Sequence, residues 1–189
     1  TSGWDHARQV VLLSNRIEKS AEQFIEHYRG KYDDPYLPPI WAITETFSFT
    51  ELSKWLSMTA DRTVRAKVAH DLGLPSKEIL ESSLEALSLM RNVAAHHGRL
   101  WNRRFVKRLP NIKRFREDLV VHEDGEQRQT DNLIYNIMVL LIRLMRHQAA
   151  DTSFPTRLHQ LVNEVDDQKR HAMGFPEDWR NRPVWRDAG

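Results

Sequence analysis

The sequence contains no cysteine, and only seven of its 189 residues are glycine. Without thiols the chain can form no disulfide, thiolate zinc site or cysteine nucleophile. It also lacks a glycine-rich phosphate loop, a His-Glu-x-x-His pair and a nucleophile elbow. No apolar run approaches the roughly 18 residues of a membrane span, and no signal-peptide pattern opens the chain. We therefore predict a cytoplasmic protein that uses neither a metal nor a cofactor.

The charged residues are unevenly distributed along the chain. A composition of 40% hydrophobic and 29% charged residues suits one soluble domain, and the formal net charge is only +2. Between residues 99 and 116, however, there are eight cations and no acid. Such a segment, here called the cationic strip, is the electrostatic footprint of a polyanion ligand. A solvated loop with scattered arginines is the alternative, and charge alone does not separate the two.

Hydrophobic periodicity predicts an all-α fold with six main helical segments. Start signals for most of them are local, such as Ser76 before the central helix and the Ser48-Phe49-Thr50-Glu51 capping box. The predicted segments are residues 4–32 as one helix or two, 48–56, 61–73, a central helix from Ser76, a buried helix opened by Thr130 or Asp131, and 153–165. Residues 120–129 are predicted to be a loop. The Pro- and Trp-rich tail, residues 171–185, is expected to be irregular and to pack back on the body.

The end of the central helix carries the candidate functional residues. At about 100° per residue, Arg91, Asn92, His96 and Arg99 fall on one polar arc beside the apolar stripe. His97 falls on the far side, near Met90 and Val93. The two histidines are therefore predicted to play different parts, with packing favoured over proton transfer for His97.

This set of side chains suits cleavage of RNA, which contains its own nucleophile in the 2′-hydroxyl. Histidine titrates near neutrality and can transfer protons, an arginine fork matches phosphoryl oxygens, and asparagine can orient either partner. A structural role is the alternative for each residue. Arg91 would then form an ion pair at the core edge, Asn92 would be a helix-terminal polar group, and His96 would be a hydrogen-bonded helix-end histidine.

Two stretches of this region resemble known families. Arg91-Asn92-Val93-Ala94-Ala95-His96 resembles the Arg-Asn-x-x-x-His motif of HEPN-superfamily ribonucleases. The longer stretch from Arg91 to Arg103 resembles the signature of the Abi-like (AbiD/AbiF) abortive-infection proteins of bacteria. Further similar segments are Phe24 to Tyr32, Pro38 to Trp41, Ser48-Phe49 with Leu52-Ser53, and Met173 to Pro176 with Trp179, Pro183 and Trp185. Arg65 to His70 and Arg116 to His122 match only the loose Arg-to-His spacing, and we interpret them as chance matches.

The resemblance implies an all-α HEPN-type helical bundle that spans residues 1–189 as one domain. Because such families carry a further helical segment upstream, we expect this sequence to be a fragment. The implied function is a metal-independent endoribonuclease acting as a toxin-like antiphage effector, sometimes with a small non-coding RNA partner. The alternative is a non-catalytic RNA-binding or scaffold module.

The resemblance also assigns roles to individual residues. His96 would be the general acid/base, Arg91 would bind the scissile phosphate and Asn92 would position either group, with His97 as a weaker catalytic candidate. The predicted RNA-contacting residues are Arg99, Trp101, Asn102, Arg103, Arg104, Lys107 and Arg108. Trp101 either stacks on a base or anchors the loop in the core, and a Trp near a helix end is more often packed. Since one motif offers one well-placed histidine and in-line cleavage needs an acid and a base, we predict a homodimer.

Overall fold

The structure is a computed structural model that describes residues 6–124 and 127–186. It is mainly helical, as predicted, with a short antiparallel hairpin. The helices are α1 His6–Lys19, α2 Gln23–Lys31, α3 Ile40–Glu45, α4 Phe49–Met58, α5 Arg62–Asp71, α6 Lys77–Ala95, α7 Ile134–Gln148, α8 Phe154–Asn163, α9 Asp167–Ala172 and α10 Pro183–Arg186. The strands are β1 Val121–Asp124 and β2 Gln127–Thr130. Among the described helices, none combines the length and the apolar character needed to cross a membrane.

The chain divides into two compact units, Thr1–Leu52 and Ser53–Gly189. The expected single domain stays a prediction. In the first unit the segment predicted as one helix or two forms two, α1 and α2, and Trp4 lies outside the described residues. The Arg29 guanidinium joins these helices by donating to the carbonyls of Ile17 (3.1 Å) and Glu18 (2.8 Å) at the end of α1.

The predicted capping box at the start of α4 is confirmed. The Glu51 carboxylate accepts from the Ser48 backbone N–H (2.9 Å) and hydroxyl (2.8 Å), and the Ser48 hydroxyl accepts from the Glu51 N–H (3.3 Å). Arg16 from α1 pairs with the same carboxylate. Hydrogen bonding to Arg16, with the Ser48 bonds, lowers the pKa of Glu51 to about 2. The carboxylate therefore stays ionised and holds α1 to the beginning of α4.

In the second unit, α5 and α6 begin where the sequence predicts. Asp61 accepts from the Thr63 N–H (2.7 Å), and Ser76 accepts from the Ile79 N–H (3.3 Å). Gly73, between the two helices, has a φ of +72°, and a Cβ atom there would lie 2.8 Å from the His147 ring. A glycine is thus required where the end of α7 approaches this turn.

The predicted start of α7 and the predicted loop before it are both wrong. α7 begins at Ile134, because the Asp131 side chain accepts from the Leu133 N–H (2.8 Å) and ends the preceding extended segment. Residues 121–124 and 127–130 form a hairpin in the register Val121↔Thr130 instead of the loop predicted for residues 120–129. Its strands are rich in polar residues, so they lack the apolar alternation by which a strand is recognised.

The tail packs back on the second unit, as predicted, but it is more regular than expected. It begins in the last turn of α9 and continues through a 3-10 turn at Trp179–Asn181 into α10. Phe175, Trp179 and Trp185 are buried against one another with ring centroids 5.2 to 5.7 Å apart. The Phe175 ring also meets Tyr135 of α7 edge-on at 4.9 Å. This aromatic cluster fixes the tail to α7.

A buried carboxylate joins the tail, α7 and the segment before the hairpin. The Asp118 side chain is 1% exposed and pairs with Arg143 of α7, whose Nε donates at 2.9 Å. Its other oxygen accepts from the Val184 N–H of the tail (2.8 Å). The Asp118 carbonyl accepts from the Tyr135 hydroxyl (2.8 Å) and from Arg182 (3.1 Å). Three segments distant in sequence therefore meet at one residue.

We predict that Asp118→Ala lowers the free energy of unfolding by about 3 to 5 kcal/mol, because it leaves the half-buried Arg143 guanidinium and the buried Val184 N–H unpaired. Urea unfolding followed by circular dichroism measures the change. The exposed neighbour Glu117 offers a matched control, and Glu117→Ala should shift the curve by under about 0.5 kcal/mol. Equal small shifts for both variants would contradict the structural role of Asp118.

Candidate functional site

The candidate site lies where α6 ends. The helix stops at Ala95, His96 is its C-cap, and His97 has a left-handed backbone with a φ of +54°. The His97 N–H donates to the Ala94 carbonyl (3.0 Å) and the Gly98 N–H donates to the Val93 carbonyl (2.7 Å). These two bonds form a Schellman motif, which usually has glycine at the left-handed position. Here the glycine comes one residue later, and a histidine takes the strained conformation.

The structure brings Arg91, Asn92 and His96 together. Arg91 Nη1 donates to Asn92 Oδ1 at 3.3 Å, and the His96 N–H donates to the Asn92 carbonyl at 3.1 Å, so His96 lies one turn beyond Asn92. Arg91 and His96 are exposed and Asn92 is half-buried. Among the described residues, Arg91 forms no ion pair at the core edge. The His96 side chain likewise has no hydrogen-bonding partner among them, so neither structural alternative is observed.

The predicted positions of Arg99 and His97 on the helical arc are wrong. Both positions assumed that α6 continues, whereas the helix ends at Ala95. His97 is therefore exposed rather than packed beside Met90 and Val93. Arg99 belongs to the following loop, where its guanidinium lies 5.3 Å from the centre of the Trp101 ring. Helix α6 thus supplies Arg91 and Asn92, its C-cap supplies His96, and the following loop supplies the other predicted residues.

The cationic strip is an irregular segment fastened by its apolar side chains. Phe105, Leu109, Ile112 and Phe115 are all buried, whereas seven of the eight cations are exposed and Lys107 is half-buried. The Phe105 N–H donates to the Asn132 carbonyl (2.8 Å), and the Asn132 side chain donates back to the Phe105 carbonyl (3.2 Å). The strip therefore has a fixed path with charges directed to solvent.

The predicted RNA-contacting cations differ in how they are held. Arg104 donates to the Asn132 side chain (3.0 Å) and Arg108 donates to the Thr130 carbonyl (3.3 Å). Lys107 is paired with Glu85 of α6 at 2.6 Å. For Arg103 the described residues include no hydrogen-bonding or ion-pairing partner. Hydrogen bonds within the protein thus orient Arg104 and Arg108 before any ligand binds, and the Arg103 guanidinium is free to contact a ligand.

Trp101 is 43% exposed, so the expectation that it anchors the loop in the core is wrong. It forms a stacked pair with Arg99 on the surface. Asn102, the next predicted contact, has a φ of +49°, a conformation that Asn adopts more readily than most residues. The turn at these residues keeps an aromatic ring and a guanidinium together in solvent.

Sequence reasoning missed the residues that support the strip. Asn132 and Thr130 act from 20 or more positions away along the chain, and nothing local marks Asn132 as an anchor or Glu85 as the partner of Lys107. The loose Arg-to-His matches have other contacts. Arg65 forms an ion pair with Glu81 (2.6 Å), and His122 is bonded to Asp131 (3.0 Å). Arg65 and His122 are therefore engaged in ion pairs, unlike the exposed Arg91 and His96 at the end of α6.

The arrangement can bind and act on a phosphodiester. An exposed guanidinium can bind phosphoryl oxygens, a nearby imidazole can move a proton, and the adjacent cations can hold the flanking phosphates. Within the described part of the chain, no group of three or more His, Asp and Glu side chains is placed to hold a metal ion.

Comparison with known proteins identifies one family. The model of the Abi-like protein family matches residues 3–102, which is more than half of the chain. The match includes the whole helix-end group and the strip as far as Asn102. Neither a curated protein nor a solved structure matches the chain.

We predict that His97→Gly raises the free energy of unfolding by about 1 kcal/mol, because glycine adopts a positive φ without the steric cost that a side chain carries. Thermal and urea unfolding measure the effect. His96 provides the control, since its φ of −93° suits any residue and His96→Gly should lower stability by about 0.5 to 1 kcal/mol. A His97→Gly variant less stable than His96→Gly would show that the His97 side chain stabilises the fold.

Proposed function

The chain belongs to the Abi-like protein family, which points to abortive-infection defence, and we propose that it is the RNA-cleaving effector of such a system. In this proposal it is a metal-independent endoribonuclease with a HEPN-type helical bundle, acting as a toxin on RNA during phage infection. The observation that supports it best is the Arg91–Asn92–His96 group, exposed at the end of α6 and followed directly by the cationic strip.

The proposed reaction uses the RNA's own 2′-hydroxyl as nucleophile. His96 removes the proton from that hydroxyl, the 2′-oxygen attacks phosphorus, and the bond to the 5′-oxygen breaks as a second imidazole donates a proton to it. The products are a 2′,3′-cyclic phosphate and a 5′-hydroxyl. Arg91 binds the non-bridging oxygens as negative charge develops there, and its bond to Asn92 orients the guanidinium.

The proposed RNA path runs along the strip. Arg99, Arg103, Arg104, Lys107 and Arg108 contact phosphates, and Trp101 with Asn102 contacts an adjacent nucleotide. Base stacking on Trp101 is sterically open because the ring lies on the surface. A small non-coding RNA regulator would use the same cations. Phosphate contacts of this kind fix position rather than sequence preference.

We predict that wild-type protein cleaves RNA in the presence of a chelator and that His96→Ala lowers the rate by roughly 10² to 10⁴, the usual contribution of a positioned acid/base. Single-turnover gel assays on a labelled RNA measure the rate. His70→Ala is the matched control, because His70 is an exposed histidine at the end of α5 and should be dispensable. Binding without cleavage by wild type would instead support a non-catalytic RNA-binding or scaffold module.

We predict that Arg103→Gln with Arg104→Gln weakens RNA binding and reduces the slope of log affinity against log salt by about one unit per lost contact. Filter binding with a His96→Ala protein at several salt concentrations measures the slope. Arg157→Gln, which removes an exposed cation of α8, should leave the slope unchanged. An unaltered slope in the double variant would mean that the strip faces a ligand other than nucleic acid.

We propose a homodimer in which two copies of His96 serve as base and acid at one cleft. One face of α6 and its C-cap carries, at helical spacing, Glu85, Leu89, Asn92 and His96. Leu89 is an exposed apolar residue on that face. This face is the proposed contact around the two-fold axis.

We predict that Leu89→Glu shifts the protein from dimer to monomer and removes RNA cleavage, because it places like charges across the two-fold axis. Sedimentation velocity and cleavage assays measure the two effects. Leu161→Glu on α8 is the control, because Leu161 is also an exposed leucine, at 60% against 39% for Leu89, and this variant should stay dimeric and active. Full activity in a strictly monomeric wild-type protein would contradict the composite site.

A further inference from the structure

The first unit contains a groove lined by two of the sequence segments that the cleavage site does not use. It has a volume of about 800 Å³ and lies between α2 and the start of α3. Phe24, Tyr28 and Tyr32 line it from the α2 side, and Pro39 and Trp41 line it from the α3 side. The segments Phe24 to Tyr32 and Pro38 to Trp41 therefore meet in one place.

The aromatic side chains of this groove are unusually accessible. Trp41 is 70% exposed, Tyr32 47% and Phe24 39%. Phe24, Tyr28 and Tyr32 follow one another at intervals of four residues, so they lie along one face of α2 and its C-cap. A soluble protein usually covers such rings unless a ligand does so. The exposed ring faces thus form a surface on which another aromatic ring can stack.

The groove is held rigidly by contacts within the unit. The Tyr28 hydroxyl donates to the Pro35 carbonyl (2.8 Å), and the Tyr28 and Tyr32 rings pack with centroids 5.1 Å apart. Arg29 fastens α2 to the end of α1 through two backbone carbonyls. A ligand would therefore bind without the cost of ordering these rings.

The polar groups of the groove favour a nucleobase over an apolar peptide. Gln23, Glu26 and His27 also line it, and an aliphatic partner would leave these groups without hydrogen-bond partners. A base offers both an aromatic face and a hydrogen-bonding edge. Beside the groove, the Lys31 ammonium lies 5.4 Å from the centre of the Tyr32 ring, where it can pair with the phosphate of a stacked nucleotide.

We propose that this groove binds one unpaired base of single-stranded RNA, with Trp41 and Tyr32 as stacking partners and Glu26 selecting guanine. The guanine edge presents two adjacent N–H donors that a single carboxylate can accept together, whereas uracil presents one. The cationic strip contacts phosphates and carries no sequence information, so the groove supplies the base preference that the strip lacks. The inference rests on the proposed function for the identity of the polymer as RNA.

The test uses two fluorescein-labelled probes, hexauridylate and the same oligomer with one central guanosine. Fluorescence anisotropy with the full His96→Ala chain gives the affinity ratio between them. We expect tighter binding of the guanosine oligomer, a roughly 5- to 100-fold loss of its affinity in Trp41→Ala, and loss of the preference in Glu26→Gln.

Tyr36→Ala is the matched control, because Tyr36 is an exposed aromatic residue of the same unit that does not line the groove. Tyr36→Ala should leave the affinity ratio between the two probes unchanged. A wild-type ratio near one, or a ratio insensitive to Trp41→Ala and Glu26→Gln, would overturn the proposal. So would a change of oligomeric state in Trp41→Ala with RNA binding intact, which would assign the groove to a protein partner. If the wild type cleaves RNA and the groove variants keep the wild-type affinity ratio between the two probes, this inference is refuted but the proposed nuclease is not.

Discussion

The buried carboxylate of Asp118 is the constraint on which the second unit depends. Between the end of α6 and the start of α7 the chain has little regular structure, so its path must be fixed by individual side chains. Asp118 binds Arg143 of α7 and the Val184 N–H of the tail. Asn136 of α7 makes a similar connection to Val120, because its side chain accepts from the Val120 N–H (2.8 Å) and donates to the Val120 carbonyl (2.9 Å). Asp118 and Asn136 are buried, so a hydrogen bond lost at either residue would leave a polar group away from water without a partner. Such a loss costs more free energy than an exposed hydrogen bond contributes.

This fastening explains how an irregular segment can present a defined array of charges. The apolar side chains of the cationic strip are buried, and its backbone is bonded to Asn132 at Phe105. The cations remain on the outside, next to the last turn of α6. Functional loops commonly rest on rigid elements in this way. The Lys107–Glu85 pair adds a contact from the strip to the helix that carries Arg91 and His96.

The features that could be predicted from sequence are those determined locally. Helix starts at Ser76 and Asp61 depend on side chains within three residues, and the helical period depends only on the pattern of apolar residues. The end of α6 could not be placed, since the left-handed residue is His97 although Gly98 stands beside it. The exposure of Trp101 and the anchoring of the strip also escaped prediction, because they depend on contacts with residues far along the chain. Arg91, Asn92 and His96 are neighbours as the helical period predicts, although the predicted arc extends past the end of the helix at Ala95.

The central claim is that the group at the end of α6 cleaves RNA through the 2′-hydroxyl of its substrate. Family membership supports a defence role, and the proposed chemistry rests on the exposed Arg91 and His96 and the half-buried Asn92 beside a row of cations. The most direct measurement is cleavage of one RNA before and after replacing the nucleotide 5′ to the mapped scissile bond with its 2′-deoxy form. The account predicts a 2′,3′-cyclic phosphate at that position in the first RNA and no cleavage there in the second. Cleavage of the 2′-deoxy linkage, or 3′-hydroxyl products from the first RNA, would contradict it.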